Sequence, residues 1–430
     1  MQPCFWNKVE IEDPKNRFTY CEDKVRTVDL SRTMAILDFF LDTTRGAPFS
    51  FTLSDSWPVQ SAYVRPVLLK LLHHSMQWKD ISMQLRHSEF ALLRNVKDCL
   101  PLLRSLDLML LDNAEMDDIT VVSELRDMFK YPPLLRRIEL IDFRFSNTVL
   151  RFNWALLTSI QLYEVDDPEE ILSFLRQTIN LKELSMAGQV KPGSVSINSG
   201  ILELPFLEYL ALDGIPLLIV LKTPALKRLV VAYPCYSKKD DINEAGITID
   251  FLLRSNCDLL TFSSEALEWP ALQKVLSYMP GLEELSLVYD EIPIRRVRWL
   301  AGLQPMTDAI QTCYGLPLIH LTKLSFYTYS GIREKELKAV ERMIARRSQV
   351  TELKELVIES RVGWSEESEG SEGSEESEES ESEESEASEE SEDQSEIGSS
   401  DVLDDLESLC EDEGVLFTFE LFVERPDYIG

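Results

Sequence analysis

The chain has 430 residues, of which 44% are hydrophobic, and its 19 Phe, 13 Tyr and 7 Trp are enough for an extended core. Its net charge of −32 is uneven: 24 of the 75 acidic residues, and no Lys or Arg, lie between Ser365 and Glu413. The dominant basic footprint that phosphate binding requires is missing, which excludes nucleic acid as the main ligand. The short Arg295–Arg298 cluster is interpreted as ordinary surface.

The seven cysteines are scattered and include no CxxC pair, which indicates neither a zinc site nor a disulfide framework. They are typical of reduced thiols, so we expect a cytoplasmic or nuclear protein. The N-terminus lacks the basic start and apolar run of a signal peptide. No segment has the roughly 18 consecutive apolar residues of a membrane helix, so no membrane association is expected.

Residues 1–100 predict irregular units of one helix and one strand. Phe49–Leu53 and Ile81–Leu85 alternate apolar and polar residues, as half-buried strands do. Each follows a segment with helical periodicity, Met34–Leu41 and Val67–His73 respectively. Trp6–Ile11 fits the same strand pattern more loosely.

Residues 101–362 contain a recurring signature, L-x-x-L-x-L, mostly 19 to 39 residues apart. Nine copies begin at Leu103, Leu135, Leu157, Leu181, Leu207, Leu226, Leu282, Leu321 and Leu353. A degenerate copy lies around Leu259–Phe262. One copy would carry no information, but nine in order predict a repeat protein. The alternating end of each copy predicts a short strand, and the first leucine is expected to close the turn that leads into it.

Helical segments are predicted between the signatures. Asp167 is a predicted N-cap, with Pro168 in the first turn of an amphipathic helix. The other predicted helices carry apolar residues at helical spacing, namely Val121, Leu125 and Phe129 before Pro132-Pro133, then Leu272, Val275, Leu276 and Met279, then Leu337, Val340 and Ile344. A strand plus a helix cannot bury its own apolar face, so the units must stack. The predicted fold class is α/β: a leucine-rich-repeat, ribonuclease-inhibitor-like curved solenoid with a parallel inner sheet and outer helices.

Several short motifs make the sequence resemble the fungal (basidiomycete-type) F-box and leucine-rich-repeat proteins. They fall in the family's order: Pro3–Val9, Ala35–Leu41, Pro48–Phe51, Trp78–Ile81 and Leu252–Cys257. The resemblance covers most of residues 3–362.

The resemblance implies recruitment of a protein substrate for ubiquitylation, because an F-box docks on the linker subunit of a cullin–RING ligase. This sequence begins where the F-box would already have ended. Either the gene product is truncated or the repeat domain has lost its F-box. Binding to the linker subunit is expected only if an F-box is restored upstream.

The segment 363–413 is predicted to be a disordered acidic loop. Between Ser365 and Ser400 it contains 13 Ser and 17 acidic residues and no aromatic residue. Its serines precede carboxylates, the pattern that acidophilic kinases read; candidate phosphorylation sites are Ser365, Ser374, Ser377, Ser382 and Ser388. The segment is either a solubilising insertion or a phosphorylation-tuned lure for basic partners. Within residues 414–430, Val415–Val423 predicts a strand that caps the C-terminal edge of the array.

Sequence signatures of catalysis are missing. The four histidines form no metal-ligand spacing, and there is no P-loop, GxGxxG after a strand or G-x-S-x-G elbow. We therefore expect no enzyme activity, no catalytic residue, no metal and no cofactor. His73-His74 is interpreted as a cap at the end of a helix.

A partner-binding surface is predicted at the positions that flank the second leucine of each signature, because these point out from the inner sheet to its concave side. They are Arg137, Glu139, Gln161, Glu183, Tyr209, Arg228, Glu284 and Lys323, with Tyr163 and Tyr327 expected just past their strands. Tyr and Arg often dominate protein interfaces, and Tyr209 with Arg228 is the predicted central patch. The alternative is that these residues are simply the solvated side of a sheet.

Two functions follow from the sequence. The first is a protein-binding repeat module that resembles the substrate-recognition part of F-box receptors. The second is an acidic repeat scaffold that binds basic proteins, nuclear proteins among them, through its Ser/Glu segment.

Overall fold

A computed structural model describes residues 8–11, 30–53, 64–96, 100–111, 128–141, 151–163, 168–188, 200–232, 244–265, 267, 271–289, 297, 300, 318–328, 334–347, 353–363 and 400–424. The chain divides into two compact units, Met1–Asp258 (unit 1) and Leu259–Gly430 (unit 2), which are taken in turn. Both units are α/β, with parallel sheets and helices.

Unit 1 contains a parallel sheet in which the strands follow chain order. The strands are β1 (Lys8–Ile11), β2 (Phe49–Leu53), β3 (Trp78–Leu85), β4 (Ser105–Leu110), β5 (Arg137–Ile141), β6 (Ser159–Tyr163), β7 (Glu183–Ala187), β8 (Leu202–Glu203), β9 (Tyr209–Asp213), β10 (Leu221–Lys222) and β11 (Arg228–Ala232). The sheet order is β1-β2-β3-β4-β5-β6-β7-β9-β11, while β8 and β10 pair separately. Every described signature of this unit therefore becomes a strand beside the strand of the next signature.

The helices of unit 1 lie between the strands in the chain. They are α1 (Leu30–Thr44), α2 (Val64–Leu72), α3 (His87–Phe90), α4 (Pro168–Leu175) and α5 (Glu244–Ser255), with 3-10 turns at Ser75–Gln77, Ala91–Val96, Trp154–Leu156 and Pro216–Ile219. α4 begins at Pro168 and buries its predicted apolar face, Ile171, Leu172, Phe174 and Leu175. The N-cap prediction at Asp167, and the predicted helix through Val121 and Leu125, lie outside the described residues.

Unit 2 repeats the plan with five strands in chain order. They are β12 (Thr261–Ser264), β13 (Glu284–Tyr289), β14 (Lys323–Thr328), β15 (Glu355–Gly363) and β16 (Leu416–Glu424), all parallel. Its described helices are α6 (Ala271–Leu276), α7 (Glu334–Arg347) and α8 (Ser400–Asp412). β12 confirms the degenerate signature, and the predicted apolar residues of α6 and α7 are buried.

The first leucine closes a turn, as predicted, in the eight signatures whose preceding residues the structure describes. In eight signatures its N–H donates to the carbonyl three residues earlier, at N···O distances of 3.1–3.4 Å; the acceptors are Leu100, Pro132, Trp154, Thr178, Leu204, Thr223, Met279 and Leu318. Five of these turns have proline directly after the acceptor, namely Pro101, Pro133, Pro205, Pro224 and Pro280. Proline favours that second turn position because its fixed φ suits it. The repeated pattern is therefore longer than the six-residue signature. A buried residue stands three positions before the first leucine, and in five of these turns a proline follows that residue.

A backbone bridge ties each signature to the next. The carbonyl after the first leucine accepts N–H groups from the second and third positions of the following signature, as when Arg104 O accepts from Arg136 N at 2.9 Å and Arg137 N at 3.2 Å. The same bridge recurs at the carbonyls of Arg136, Thr158, Lys182 and Glu208 in unit 1 and Leu260, Glu283 and Thr322 in unit 2. These bonds fix the register of neighbouring strands independently of the side chains between the leucines.

The core lies on one side of each sheet, where the leucines of the signatures alternate with more exposed residues. β9 shows the pattern, with Leu210 and Leu212 buried between partly exposed neighbours. Aromatic side chains fill the core near α1 and α2, where Phe51 packs edge-on against Trp78 at a centroid distance of 5.2 Å. The indole N–H of Trp78 donates to Leu71 O at 3.2 Å, which satisfies the one polar group of a fully buried ring.

The predicted outer layer of helices changes where two signatures stand closest. Leu207 and Leu226 leave too few residues between strands for a helix, so the connection contains the 3-10 turn Pro216–Ile219 and the short strand β10, paired with β8. α5 packs against this turn and strand. The guanidinium of Arg254, in the last turn of α5, donates to the carbonyls of Leu221 (3.0 Å) and Leu218 (2.5 Å).

The C-terminal predictions are half confirmed. Leu416–Glu424 forms β16 and pairs with β15 over nine residues, so the predicted capping strand is present. The prediction of disorder to residue 413 is wrong for Ser400–Asp412, which forms α8 and packs against α7. Acidic composition concealed an apolar stripe there: Leu406 and Cys410 are buried. Residues 364–399, with the five candidate phosphorylation sites, lie outside the described residues.

Candidate functional site

The ten predicted partner-binding residues all lie on strands, at positions that alternate with buried leucines. Seven belong to unit 1 and three, Glu284, Lys323 and Tyr327, belong to unit 2. The register places those of unit 1 in rows across the strands, one of which runs Asp80, Ser105, Arg137, Ser159, Glu183, Tyr209, Arg228. A second row runs Ser82, Asp107, Glu139, Gln161, Ser185, Ala211. These two rows, with Tyr163 and Asp213, are the polar face of unit 1.

Arg137 connects two strands of the polar face. Its Nη2 donates to Glu139 Oε2 at 3.2 Å and to Gln161 Oε1 at 3.0 Å. The Arg137 side chain remains 52% exposed, so its stem and remaining N–H groups are open to solvent. An arginine held by two neighbours but still accessible is preorganised for a partner's acceptor.

Tyr209 and Arg228, the predicted central patch, are brought together. They are register partners on β9 and β11, and the Arg228 guanidinium lies 5.1 Å from the centroid of the Tyr209 ring. Such a contact contributes about 0.5–1 kcal/mol at an exposed site. Glu183 is the register partner of Tyr209 on the other side and is exposed. The face here offers a ring, a guanidinium and a carboxylate side by side.

Tyr163 lies within its strand and not just past it, so the prediction of its position is wrong by one residue. It is the last residue of β6 rather than beyond it, and Tyr327 likewise lies within β14. Partial burial, and then the nearby carboxylates of Glu139 and Asp213, raise the pKa of Tyr163 above its ordinary value. The phenol therefore keeps its proton and lies in a region of negative potential.

A groove that the sequence reasoning missed runs over β2 to β5. It has a volume of about 450 Å³, and its polar lining includes Ser50, Ser82, Asp80, Asp107, Arg137 and Glu139. Ser50 Oγ donates to Asp80 Oδ2 at 3.0 Å, and Ser82 Oγ donates to Asp107 Oδ2 at 2.6 Å. Asp107 stands directly after the second leucine of the first signature, so applying the flanking-position rule to that copy would have found it. Asp80 has no such signal because its strand lacks the full hexad.

The corresponding rows in unit 2 are paired internally. Lys323 Nζ donates to Glu355 Oε1 at 2.6 Å, and Thr261 Oγ1 donates to Glu284 Oε2 at 3.2 Å. The hydrogen bond and charge of Glu355 raise the pKa of Lys323. In the adjacent row Ser325 is fully buried and Val357 nearly so. Of the three predicted residues of unit 2, Glu284 and Lys323 thus each have a partner within the unit.

Chemically reactive groups are not assembled among the described residues. In that part of the chain no set of three or more His, Cys, Asp or Glu side chains is placed to hold a metal ion. Burial raises the pKa of the Cys257 and Cys410 thiols, which disfavours the nucleophilic thiolate. His73 Nδ1 bonds to Leu69 O at 2.7 Å, which confirms its interpretation as a helix cap. The polar face can bind by charge, hydrogen bonding and aromatic contact.

None of the helices in the described ranges is long and apolar enough to cross a membrane.

Comparison with known proteins does not identify a family for this chain. No model of a known protein family matches the sequence, and no curated protein matches it. The resemblance to fungal F-box and leucine-rich-repeat proteins therefore stays a prediction.

Proposed function

We propose that the chain is a leucine-rich-repeat protein that binds a protein partner through the polar face of unit 1 and performs no catalysis. The observation that carries the proposal is the register, which places the variable positions of successive signatures side by side on one face of a sheet. The recurring first-leucine turn and the backbone bridge support the repeat assignment.

The composition of the face supports a protein ligand. Arg137, Tyr163, Tyr209 and Arg228 lie on four of the five strands β5, β6, β7, β9 and β11, which pair in that order. Tyr and Arg are enriched among residues that dominate binding energy. The hydrogen bonds of Arg137 and the contact of Arg228 with the Tyr209 ring hold these three side chains in place before binding, which lowers the entropic cost of association. By contrast, small-molecule sites are usually concave and mostly apolar.

The family resemblance extends the proposal to substrate recognition for a ubiquitin ligase. In that case the polar face selects the substrate, and contact with the ligase requires an F-box upstream. Fusing an F-box ahead of Met1 is expected to allow recovery of the cullin–RING complex and ubiquitylation of the partner. If the fused chain recruits the ligase and the partner is not modified, the receptor role is wrong while partner binding stands.

The direct test maps the contact by site-specific photo-crosslinking. A photoreactive amino acid at Gln161 or Glu183, on the polar face, is expected to crosslink a partner in cells of the source organism. The same group at exposed Gln177, after α4, serves as the matched control. Crosslinks to one defined protein from both polar-face positions support the proposal. Equal crosslinking from Gln177 would contradict it.

The partner so identified allows a quantitative test. Replacing Tyr209 and Arg228 together by Ala is expected to weaken its affinity by about tenfold or more, since hot-spot truncations cost about 2 kcal/mol. The control removes the exposed ion pair of Lys222 with Glu203, 3.2 Å apart on β10 and β8. Unchanged affinity in the Tyr209→Ala, Arg228→Ala variant would place the binding patch elsewhere.

A further inference from the structure

We propose that the polar face of unit 1 over β3–β6, including its groove, binds a basic, extended segment of the partner, with Asp107 as a principal carboxylate contact. This inference rests on the proposed function and specifies the chemistry of the partner. Three observations support it: the state of Asp107, the charge balance of the face and the shape of the groove.

Asp107 is a carboxylate for which the described part of the chain supplies no cation. It accepts one hydrogen bond, from Ser82, and forms no ion pair with any residue that the structure describes. Its register partner on β5 is Glu139, so two carboxylates stand directly opposite each other on adjacent parallel strands. Glu139 has an ion pair with Arg137 at 3.2 Å, so Asp107 is the one of the two without a cation among the described residues. Like charges in this position destabilise a sheet. A cationic side chain from a ligand would relieve that repulsion, which is the behaviour of a binding site rather than of a stabilising contact.

The net charge of the whole polar face of unit 1 is also negative. Its two rows, with Asp213, contain the carboxylates Asp80, Asp107, Glu139, Glu183 and Asp213 against the guanidinium groups of Arg137 and Arg228. Lys79, which also lines the groove, adds one positive charge, and its Nζ lies 3.3 Å from Asp80 Oδ2. The balance is negative, so charge complementarity favours a basic partner.

The same charge excludes the chain's own acidic segment as the occupant. Residues 365–400 contain 17 carboxylates and no Lys or Arg, so this face repels them. A basic partner would instead be attracted by both parts of the chain. The segment then raises the rate of encounter while the face holds the bound residues.

The groove suits an extended segment better than a compact ligand. Its carboxylates Asp80, Asp107 and Glu139 lie on three successive strands, and neighbouring strands are about 4.8 Å apart. An extended peptide that crosses the strands presents alternate side chains to one side. The open volume of about 450 Å³ admits more than one such side chain. Alternate side chains of such a peptide are about 6.6 Å apart, and the long, flexible stems of Lys and Arg let basic residues at these positions reach carboxylates on successive strands.

The experiment uses the full chain and fluorescein-labelled twelve-residue peptides with Arg, Lys or Glu at alternate positions and Ser between them. Fluorescence anisotropy is expected to show binding of the Arg and Lys peptides that weakens as salt is raised, and none of the Glu peptide. Asp107→Asn should reduce the affinity about tenfold. Asp250→Asn, which removes one charge from the exposed side of α5, should leave it nearly unchanged.

Two further arms make the outcome decisive. A chain in which residues 365–399 are replaced by a Gly/Ser linker should still bind, with a lower association rate. If this replacement abolishes binding while Asp107→Asn has no effect, the acidic segment is the site and the inference is overturned. Asp80→Asn is a second variant for the case that Asp107→Asn fails to fold. Crosslinking from Gln161 and Glu183 without basic-peptide binding would refute the inference and leave the proposed function standing.

Discussion

Units 1 and 2 share the same backbone hydrogen bonds between strands and differ in how the polar residues on their strands are paired. Both use the first-leucine turn and the backbone bridge between signatures. In unit 1 the polar face contains an open groove and a carboxylate, Asp107, that has no ion pair among the described residues, whereas in unit 2 Lys323 pairs with Glu355 and Ser325 is fully buried. The leucines and backbone bonds thus fix the fold, and the residues between them are left to form either an open polar surface or one whose charges are paired within it.

The largest expected difference concerns two buried or half-buried arginines at the ends of helices. Arg347, in the last turn of α7, is fully buried and donates to the carbonyls of Leu300 (3.0 Å) and Leu318 (3.2 Å). Burial lowers its pKa to about 10, so it stays charged at pH 7. Arg254 makes equivalent bonds in unit 1 but is only partly buried. The contact of a helix-terminal arginine with two backbone carbonyls thus occurs in both units, and the arginine is more deeply buried in unit 2.

Arg347→Met should lower the free energy of unfolding of unit 2 by about 3 kcal/mol, because two buried carbonyls lose a charged donor. Arg254→Met should cost unit 1 about 1 kcal/mol, since the Arg254 side chain is itself partly exposed and water can take its place as the donor. Hydrogen exchange followed by mass spectrometry reads the two units separately. Equal losses would mean that the arginines are equally important and that burial does not distinguish them.

The alkylation rates of the two described cysteines measure how well each thiol is protected from solvent in its unit. Cys410, on α8, is fully buried, and burial raises its pKa to about 11. At pH 8 its alkylation should be about a hundredfold slower than that of an ordinary thiol, and slower than that of half-buried Cys257. Peptide mapping after timed iodoacetamide treatment measures both rates, with urea-unfolded chain as the reference. Fast labelling of Cys410 would show that α8 opens away from α7.

The charge contrast between the two polar faces predicts effects of opposite sign. Asp107→Asn should raise the stability of unit 1 by about 0.5 kcal/mol, because it removes the repulsion with Glu139 and keeps an acceptor for Ser82. Lys323→Gln should lower the stability of unit 2 by about 0.5 kcal/mol, because it removes the pair with Glu355. Urea titrations with hydrogen exchange measure both. A loss of stability in Asp107→Asn would remove the contrast.

The smallest expected effect is a pH dependence confined to unit 1. Burial, and then the positive charges of His73 and Lys70, lower the pKa of His74 below 6.5. The unfolded chain therefore binds this proton more readily, so the contribution of His74 is fully present above pH 6.5 and is lost as pH falls through the lowered pKa. His74→Asn should flatten the fall in unit 1 stability between pH 7 and pH 5. His320→Asn in unit 2 is the control, and an equal flattening there would contradict the assignment.

Strand positions were predictable because the spacing of apolar residues depends on the backbone alone. The signature that starts at Leu181 predicts β7, and even the degenerate Leu259–Phe262 predicts β12, since Leu260 O makes the same bridge as its counterparts. α8 was missed because its acidic residues outnumber the apolar stripe that holds it to α7. Composition averages over a helix, whereas burial depends on one side of it.

The location of the candidate site could be predicted from the sequence, but which of its charged residues are paired could not. Flanking the second leucine correctly placed Arg137 and Tyr209 on the polar face, but it gave equal weight to Glu284 and Lys323, which the structure finds satisfied within unit 2. The groove around Asp107 depends on strand register and on which charges find partners. Neither property is visible along a single strand.

The backbone bridge also determines where the chain tolerates growth. Each bridge joins only the entry points of adjacent strands, so residues added after a strand and before the next turn leave the register untouched. Lengthening a flexible connection twofold costs only about 0.6 kcal/mol of closure entropy, while the bonds it rejoins stay the same. Residues 364–399 occupy such a position, between β15 and α8, ahead of the nine-residue pairing of β15 with β16. Insertions at these connections are a low-cost route by which the repeat array gains new charged segments during evolution.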